Sequence, residues 1–293
     1  MNVEGFISAL SRTKIIYVIV GLAIYPLSQI LCAMKWQYIA RALGIRKDLS
    51  VMVRLYFIGM FFNLFLPTSI GGDITRSIYL DPDAESKRLP FLSVFIERAT
   101  GVLSMLILAS VVMLSPVGIS LPRVIRFGFP AVSLLTFIGL WILPMILQRT
   151  NTKMRQVVCE DLAVFWNQPQ ITLVCIGYSV LFHSLLVVIH ALIAASLSLS
   201  IPVLYHYVTM SVGSLISFLP SLNGVGVRDA SYVYLLTRIG IDKEHAFLFS
   251  ILWFFTMVVS GMLGCLVYVI WGLNRTAKTQ RRENPDVARQ SLR

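Results

Sequence analysis

The sequence predicts an all-α polytopic membrane protein built as two inverted repeats, each carrying a re-entrant or broken helical hairpin. Three observations lead there. Hydrophobic residues are 57% of the 293 and charged residues 13%, about half the charged share of a soluble domain. Apolar runs of bilayer-spanning length recur along the chain. Two of them are cut short by matching Pro/Gly-rich polar stretches. A water-facing surface needs more charge than this. Most soluble enzyme folds are excluded, and so is nucleic-acid binding as the reason for the net charge of +11.

A single integral membrane domain, 1–293, is expected. Segment 1, residues 14–34, is longer than a signal-peptide core and no cleavage site follows it, so it is a retained span. It runs on into Lys35-Trp36-Gln37-Tyr38-Ile39-Ala40-Arg41, a basic amphipathic end with Trp36 and Tyr38 as interfacial anchors. Segment 2, residues 51–66, stops at Pro67, because proline removes a helix donor and its ring disfavours helix before it. The polar stretch Thr68-Ser69-Ile70-Gly71-Gly72-Asp73-Ile74-Thr75-Arg76 follows, then a short apolar return and a polar loop at 81–88. Segment 3, residues 89–114, carries Glu97-Arg98 inside it. Segment 4, residues 127–147, leads to an amphipathic linker, 149–168. Segment 5 covers 171–199. Segment 6, residues 203–219, stops at Pro220 and gives way to Ser221-Leu222-Asn223-Gly224-Val225-Gly226-Val227-Arg228-Asp229 and a short return to Leu236. The last segment, 246–273, ends in a basic tail.

The two breaks lie roughly 155 residues apart, and the flanking segments repeat at about the same offset. Repeat 1 therefore covers about 14–115, a linking span and the linker 116–169, repeat 2 about 170–273, and the tail 274–293. Short Gly/Pro-interrupted segments in matching halves point to a transporter-like binding site. Cytoplasmic loops attract Lys and Arg. With the N-terminus outside and each interrupted segment a hairpin, Lys35, Arg41, Arg46, Lys47, Lys87, Arg88, Arg149, Lys153, Arg155 and the tail share the cytoplasmic side. Arg54, Arg76, Arg98 and Arg228 stay at membrane depth. The first hairpin then opens on the cytoplasm and the second outside. A topology in which both interrupted segments cross fully splits these basic clusters.

Four arginines and three acids, Asp73, Glu97 and Asp229, thus fall in apolar or interrupted stretches. Each charge near a helix centre costs about 2.5–3.5 kcal/mol, so seven left unpaired would cost on the order of 20 kcal/mol. They must pair and face an interior or an aqueous cavity. Four cations against three acids, with backbone N–H groups at the breaks, suit a phosphate-bearing ligand. The other reading is charge pairs that only hold helices together. Polar residues with Asp and Arg at both breaks favour a site, because irregular backbone at membrane depth lines a cavity or lies buried in protein. The candidate binding residues are Arg76, Arg98, Arg228, Asp73, Glu97, Asp229, Asn63, Ser69 and Asn223. The breaks are Pro67, Gly71, Gly72, Pro220, Gly224 and Gly226. Asn63 and Asn223 supply amide hydrogen bonds or cap helices. Arg54 is a ligand or a snorkelling interfacial residue. His183 and His190 share one helix face, and without further ligands nearby they read as interhelical hydrogen bonders rather than a metal pair. The cysteines form no CxxC. No zinc-protease or nucleophile-elbow motif occurs, so neither a catalytic residue nor a metal or cofactor is expected.

The stretch from Tyr56-Phe57-Ile58-Gly59 through Asn63-Leu64-Phe65-Leu66-Pro67-Thr68-Ser69-Ile70-Gly71-Gly72-Asp73-Ile74-Thr75-Arg76 resembles the hallmark of the lysylphosphatidylglycerol synthase transmembrane-region family. These are flippase-like membrane proteins akin to the lipid-flipping half of the bacterial multiple peptide resistance factor. Glu97-Arg98-Ala99-Thr100-Gly101 resembles its next motif, usually Asp-Arg before a glycine. The stretch 219–229 resembles its third, usually ending Gly-x-Gly-x-Arg-Glu. Glu97 and Asp229 depart from the common residues but keep the charge. Relatives usually carry one more hydrophobic segment before segment 1, and this chain shows none, which agrees with an outside N-terminus. No aminoacyl-transferase domain follows the last segment.

The resemblance implies lipid translocation without lysyl transfer. A lipid flippase of the bacterial inner membrane is expected, multi-pass, with a cytoplasmic C-terminus and a lipid partner whose headgroup is anionic or bears phosphate. Arg76, Arg98 and Arg228 would pair with phosphate. Asp73, Glu97 and Asp229 would position them, contact a cationic headgroup group or carry a coupling proton. The alternatives are a transporter for a soluble anion and a non-transporting scaffold for a lipid-modifying enzyme.

Overall fold

A computed structural model describes residues 3–66, 71–81, 87–147, 161, 162, 165, 167–217 and 224–283. Among them the chain is helical, without strands. Its helices are α1 (Val3–Ser11), α2 (Ile15–Ala42), α3 (Leu49–Phe65), α4 (Gly71–Leu80), α5 (Arg88–Leu114), α6 (Arg123–Leu147), α7 (Pro169–Ser196), α8 (Val203–Ile216), α9 (Val227–Thr237) and α10 (Lys243–Glu283).

Among the described residues, four helices are long and apolar enough to cross a bilayer: α2, α5, α7 and the first 30 residues of α10. At 1.5 Å per residue, the 28 residues of α2 reach about 42 Å, more than the hydrocarbon thickness. Several hydroxyls in these apolar helices are satisfied locally. Those of Ser110 and Ser179 donate to the carbonyls of Leu106 and Cys175, one turn earlier. The fifth long helix, α6, lies along α5 and leaves Leu134, Leu135 and Phe137 exposed, as a helix bathed in lipid does.

The two short pairs, α3–α4 and α8–α9, are helical hairpins. At the mouth of the first, Lys47 Nζ lies 3.1 Å from Asp81 Oδ1. At the mouth of the second, the Tyr205 hydroxyl donates to the Leu235 carbonyl at 2.7 Å. The mouths face opposite ends of the bundle. Helices α2 and α7 run antiparallel: Lys14 N donates to Ser196 O at one end, and Ile39 and Leu43 pack with Ile171 and Cys175 at the other. Helix α10 joins both ends, with Phe247 against Phe6 of α1 at one, ring centroids 6.2 Å apart. At the other, Trp271 meets Tyr79 of α4 at 5.2 Å. Each half therefore reads long helix, hairpin, long helix, and the second half is inverted relative to the first.

The sequence dictates how each hairpin breaks. Leu66 takes an extended conformation, as the residue before a proline does. Helices α3 and α4 then approach closely through glycine. A Cβ on Gly72 would run into the carbonyl oxygen of Gly59 and the Asn63 amide. The Gly72 N–H instead donates to Asn63 Oδ1 at 2.8 Å, which satisfies a first-turn donor of α4. In the second hairpin Gly224 and Gly226 hold φ of +81° and +82°, a region costly for other residues. The Gly226 N–H donates to Asp229 Oδ2 at 3.0 Å and caps α9.

Three expectations are corrected. Trp36 is no interfacial anchor: it is fully buried, and its indole N–H donates to Ser93 Oγ at 3.0 Å. Lys35 leaves the cytoplasmic count, because α2 continues two turns past it and carries it into the core. The last helix runs on to Glu283, since the Arg, Lys and Gln residues of 274–283 are good helix formers in water.

Candidate functional site

Hairpin one meets α2 and α5 in a network of three cations and two carboxylates. Asp73 lies in the first turn of α4, where the helix dipole favours a carboxylate. Arg76 follows three residues on, so its Nε reaches Asp73 Oδ1 at 3.0 Å. Its Nη2 lies 2.7 Å from Glu97 Oε2. Consecutive residues on α5 point in different directions. Glu97 turns inward, and its Oε1 takes Lys35 Nζ of α2 at 3.2 Å. Arg98 turns toward α4 and grips Asp73 with two nitrogens, Nε to Oδ2 at 2.8 Å and Nη2 to Oδ1 at 2.9 Å. Lys35 also donates to the Glu97 carbonyl and to Ser179 Oγ of α7, at 2.8 and 3.1 Å.

The Arg76 guanidinium is sandwiched between aromatic rings, 4.8 Å from the Trp36 ring centre and 4.6 Å from that of Tyr56. This geometry stabilises a desolvated cation. Arg76, Lys35 and Glu97 are each 2–3% exposed. The Arg98 side chain is 43% exposed, and its Nη1 has no protein partner among the described residues.

Arg228, in the first turn of α9, lies 3.4 Å from Asp229 Oδ1 and donates to Met257 Sδ of α10 at 3.3 Å. Its guanidinium carbon is 5.5 Å from the Phe254 ring centre.

Between the hairpins lies a cavity of about 250 Å³. Arg98 and Arg228 line it, with Lys35, Glu97, Asn63 and neutral polar groups from α2, α7 and α8. Both halves of the chain thus present a cation to one space. This arrangement can hold an anion, because the cations outnumber the acids and the helix N-termini of α4 and α9 carry partial positive charge.

Arg98, Glu97, Arg228 and Asn63 therefore come together on the cavity wall. Asp73, Arg76 and Asp229 do not line it. Arg76, expected to contact a ligand, is off the cavity wall here: it pairs with Asp73 and Glu97 and its guanidinium lies between Trp36 and Tyr56. Arg54 is exposed and donates to the Ser50 carbonyl of its own helix, so it takes no part in the network. Gly71, Gly72, Gly224 and Gly226 flank the breaks. Pro67, Ser69, Pro220 and Asn223 lie outside the described residues. His183 bonds the Gly101 carbonyl at 3.0 Å, and His190 bonds the Leu186 carbonyl at 2.8 Å and the Tyr232 hydroxyl at 3.1 Å. Both tie α7 to a neighbouring helix. Sequence reasoning missed Lys35. Its signal was a stripe of polar residues on α2, Ser28, Gln29 and Lys35, at helical spacing in an apolar run.

The family model for the lysylphosphatidylglycerol synthase TM region matches residues 1–264. Neither a curated protein nor a solved structure matches the chain.

Proposed function

The chain belongs to the lysylphosphatidylglycerol synthase TM region family, and from that premise we propose that it is a lipid translocase rather than an enzyme. One observation carries the reading. Arg98 of α5, held by Asp73 of hairpin one, and Arg228 of hairpin two, which enters from the opposite end, line a single cavity among the long helices. A phosphate headgroup there would lie against both arginines, its acyl chains left in lipid. Hairpins in inverted repeats let one half rock against the other, so the cavity faces each side in turn.

The distribution of Lys and Arg supports a topology with the mouth of hairpin one and the C-terminus in the cytoplasm, and the proposed setting is a bacterial inner membrane. Arg41, Arg46, Lys47, Lys87 and Arg88 cluster at that end. A soluble anion suits the same cations, and one experiment separates the two. Purified protein is reconstituted into vesicles carrying headgroup-labelled phosphatidylglycerol, and inner-leaflet label is followed as it becomes accessible to an impermeant quencher. Free glycerol phosphate uptake is measured in parallel. Lipid movement above protein-free vesicles, without uptake, supports the reading. Uptake without lipid movement overturns it.

A further inference from the structure

The second half of the chain holds a buried titratable group that the anion site leaves unused. Lys35 and His190 lie 155 residues apart, the offset at which the two halves repeat. Each sits on the first long helix of its half and bonds to a neighbouring helix. In the first half this position holds a fixed cation paired with Glu97. In the second it holds a fully buried imidazole, the side chain whose charge ordinarily changes near neutral pH. We propose that His190 couples proton binding to occupancy of the cavity by a phosphodiester anion, with the Tyr232 hydroxyl as the link. This rests on the translocase reading and adds a proton to what the cavity carries.

The hydrogen bonds fix the starting state. His190 Nδ1 lies 2.8 Å from the Leu186 carbonyl, so Nδ1 carries the ring proton. Nε2 is then an acceptor, and the Tyr232 hydroxyl 3.1 Å away donates to it. Tyr232 and Arg228 both line the cavity, one turn apart on the same face of α9. The single hydroxyl proton of Tyr232 is thus turned away from the cavity, and an anion there meets only its lone pairs. A proton from water, added at His190 Nε2, reverses the bond. Nε2 then donates to the Tyr232 oxygen, and the hydroxyl proton turns to the anion as a new donor. The imidazolium charge and the anion's charge offset each other. Without the anion, that proton would stand uncompensated beside Arg228. Each therefore favours the other's binding, and by the same factor.

The surroundings suit such a group. Among the described residues, the titratable and charged groups around it are Tyr232, Arg228 and Asp229 of α9, His206 of α8 and Tyr25 of α2. Asp229 is engaged by Arg228 and the Gly226 N–H. His206 lies 6.4 Å from His190 between ring centroids, and Tyr25 stands behind Trp253 at 5.6 Å. Helix α10 contributes the Phe249 and Trp253 rings, at 5.6 and 4.2 Å. The Trp253 ring is close enough to favour a cation on His190.

The test is isothermal titration calorimetry of dioctanoyl phosphatidylglycerol into the full chain in detergent, in two buffers of different ionisation heat. Dimethyl phosphate serves as the free-anion probe. Neither ligand titrates near neutral pH, so any proton taken up binds the protein. At pH 7 the lipid should bring at least about 0.3 proton with it, and it should bind at least about threefold more tightly at pH 6 than at pH 8. Tyr232→Phe keeps His190 but removes the reversible hydroxyl, and His190→Gln removes the titrating group. Both variants should still bind lipid through Arg98 and Arg228, with uptake below about 0.1 proton. Lipid binding to the parent without proton uptake overturns the coupling and leaves the translocase reading standing. Undiminished uptake in folded Tyr232→Phe protein also overturns it. Proton uptake with dimethyl phosphate and no lipid binding upholds the coupling but removes the lipid reading of function. Binding of neither ligand overturns both. If one variant does not fold, the other decides, and if neither folds, the parent's uptake does.

Discussion

Replacing Glu97 with glutamine should destabilise the protein more than any surface change. The carboxylate is 3% exposed and serves two cations, Lys35 at 3.2 Å and Arg76 at 2.7 Å. Glutamine keeps the shape but offers a single acceptor oxygen, so its NH₂ must face one of those cations. Removing one partner from a buried ion pair costs about 3–5 kcal/mol because the other charge is left unpaired. Two cations share Glu97, so a loss near the upper end, about 4–5 kcal/mol, is expected. Because the groups are almost fully buried, solvent screening takes little from this figure. Lys35→Met removes a cation from the same network. In the Lys35→Met/Glu97→Gln double variant the two losses should overlap, with a coupling of at least about 1.5 kcal/mol. The assay is denaturant unfolding of all four proteins in micelles. A Glu97→Gln loss below about 1 kcal/mol, or single losses that simply add, would refute the buried network.

Gly72→Ala pushes a methyl into the Gly59 carbonyl and should cost about 1–3 kcal/mol, whereas Gly128→Ala, with open space around it, should shift stability by no more than about 1 kcal/mol; thermal unfolding of the two reads the contrast. Arg54→Ala removes only a bond to its own helix and should leave stability within about 0.5 kcal/mol and lipid movement at the parent rate. Asp242 sits just ahead of α10, outside the span. Slight burial pushes its carboxyl up, but the His245 backbone N–H and ring hold it below the ordinary carboxylate range. The folded-state value is depressed, so the stabilisation is complete above the unfolded value near 3.9 and is lost as pH falls through the folded one. Hydrogen exchange at the first turn of α10 should show protection that is steady from pH 7 to about pH 5 and declines below about pH 4.

The breaks were legible in the sequence because proline and glycine act locally. Pro67 stops α3 whatever surrounds it, and Gly224 and Gly226 supply a backbone that few residues adopt. The Asp73–Arg76 pair was legible as well, since three residues apart on a helix means one face. What was hidden depends on contacts between distant segments. Lys35 sits near the end of an apolar run and resembles a flanking charge. Its burial is set by Glu97, 62 residues on, and Ser179, 144 residues on. Trp36 beside a lysine looks like an interfacial anchor, yet its ring is claimed by Arg76. Arg54 and Lys35 thus exchange places: one cation leaves the buried set and another enters. The excess of one positive charge is preserved, with Lys35, Arg76, Arg98 and Arg228 set against Asp73, Glu97 and Asp229.

The most direct measurement is transbilayer movement of labelled phosphatidylglycerol in vesicles holding the parent protein, Arg98→Gln or Arg228→Gln at equal amounts. Each arginine supplies a charge-assisted contact worth about 1.5–3 kcal/mol. Both variants should therefore move lipid at least about tenfold more slowly, while Arg54→Ala keeps the parent rate. Movement at the parent rate in both arginine variants would mean that the cavity between the hairpins is not where the headgroup crosses.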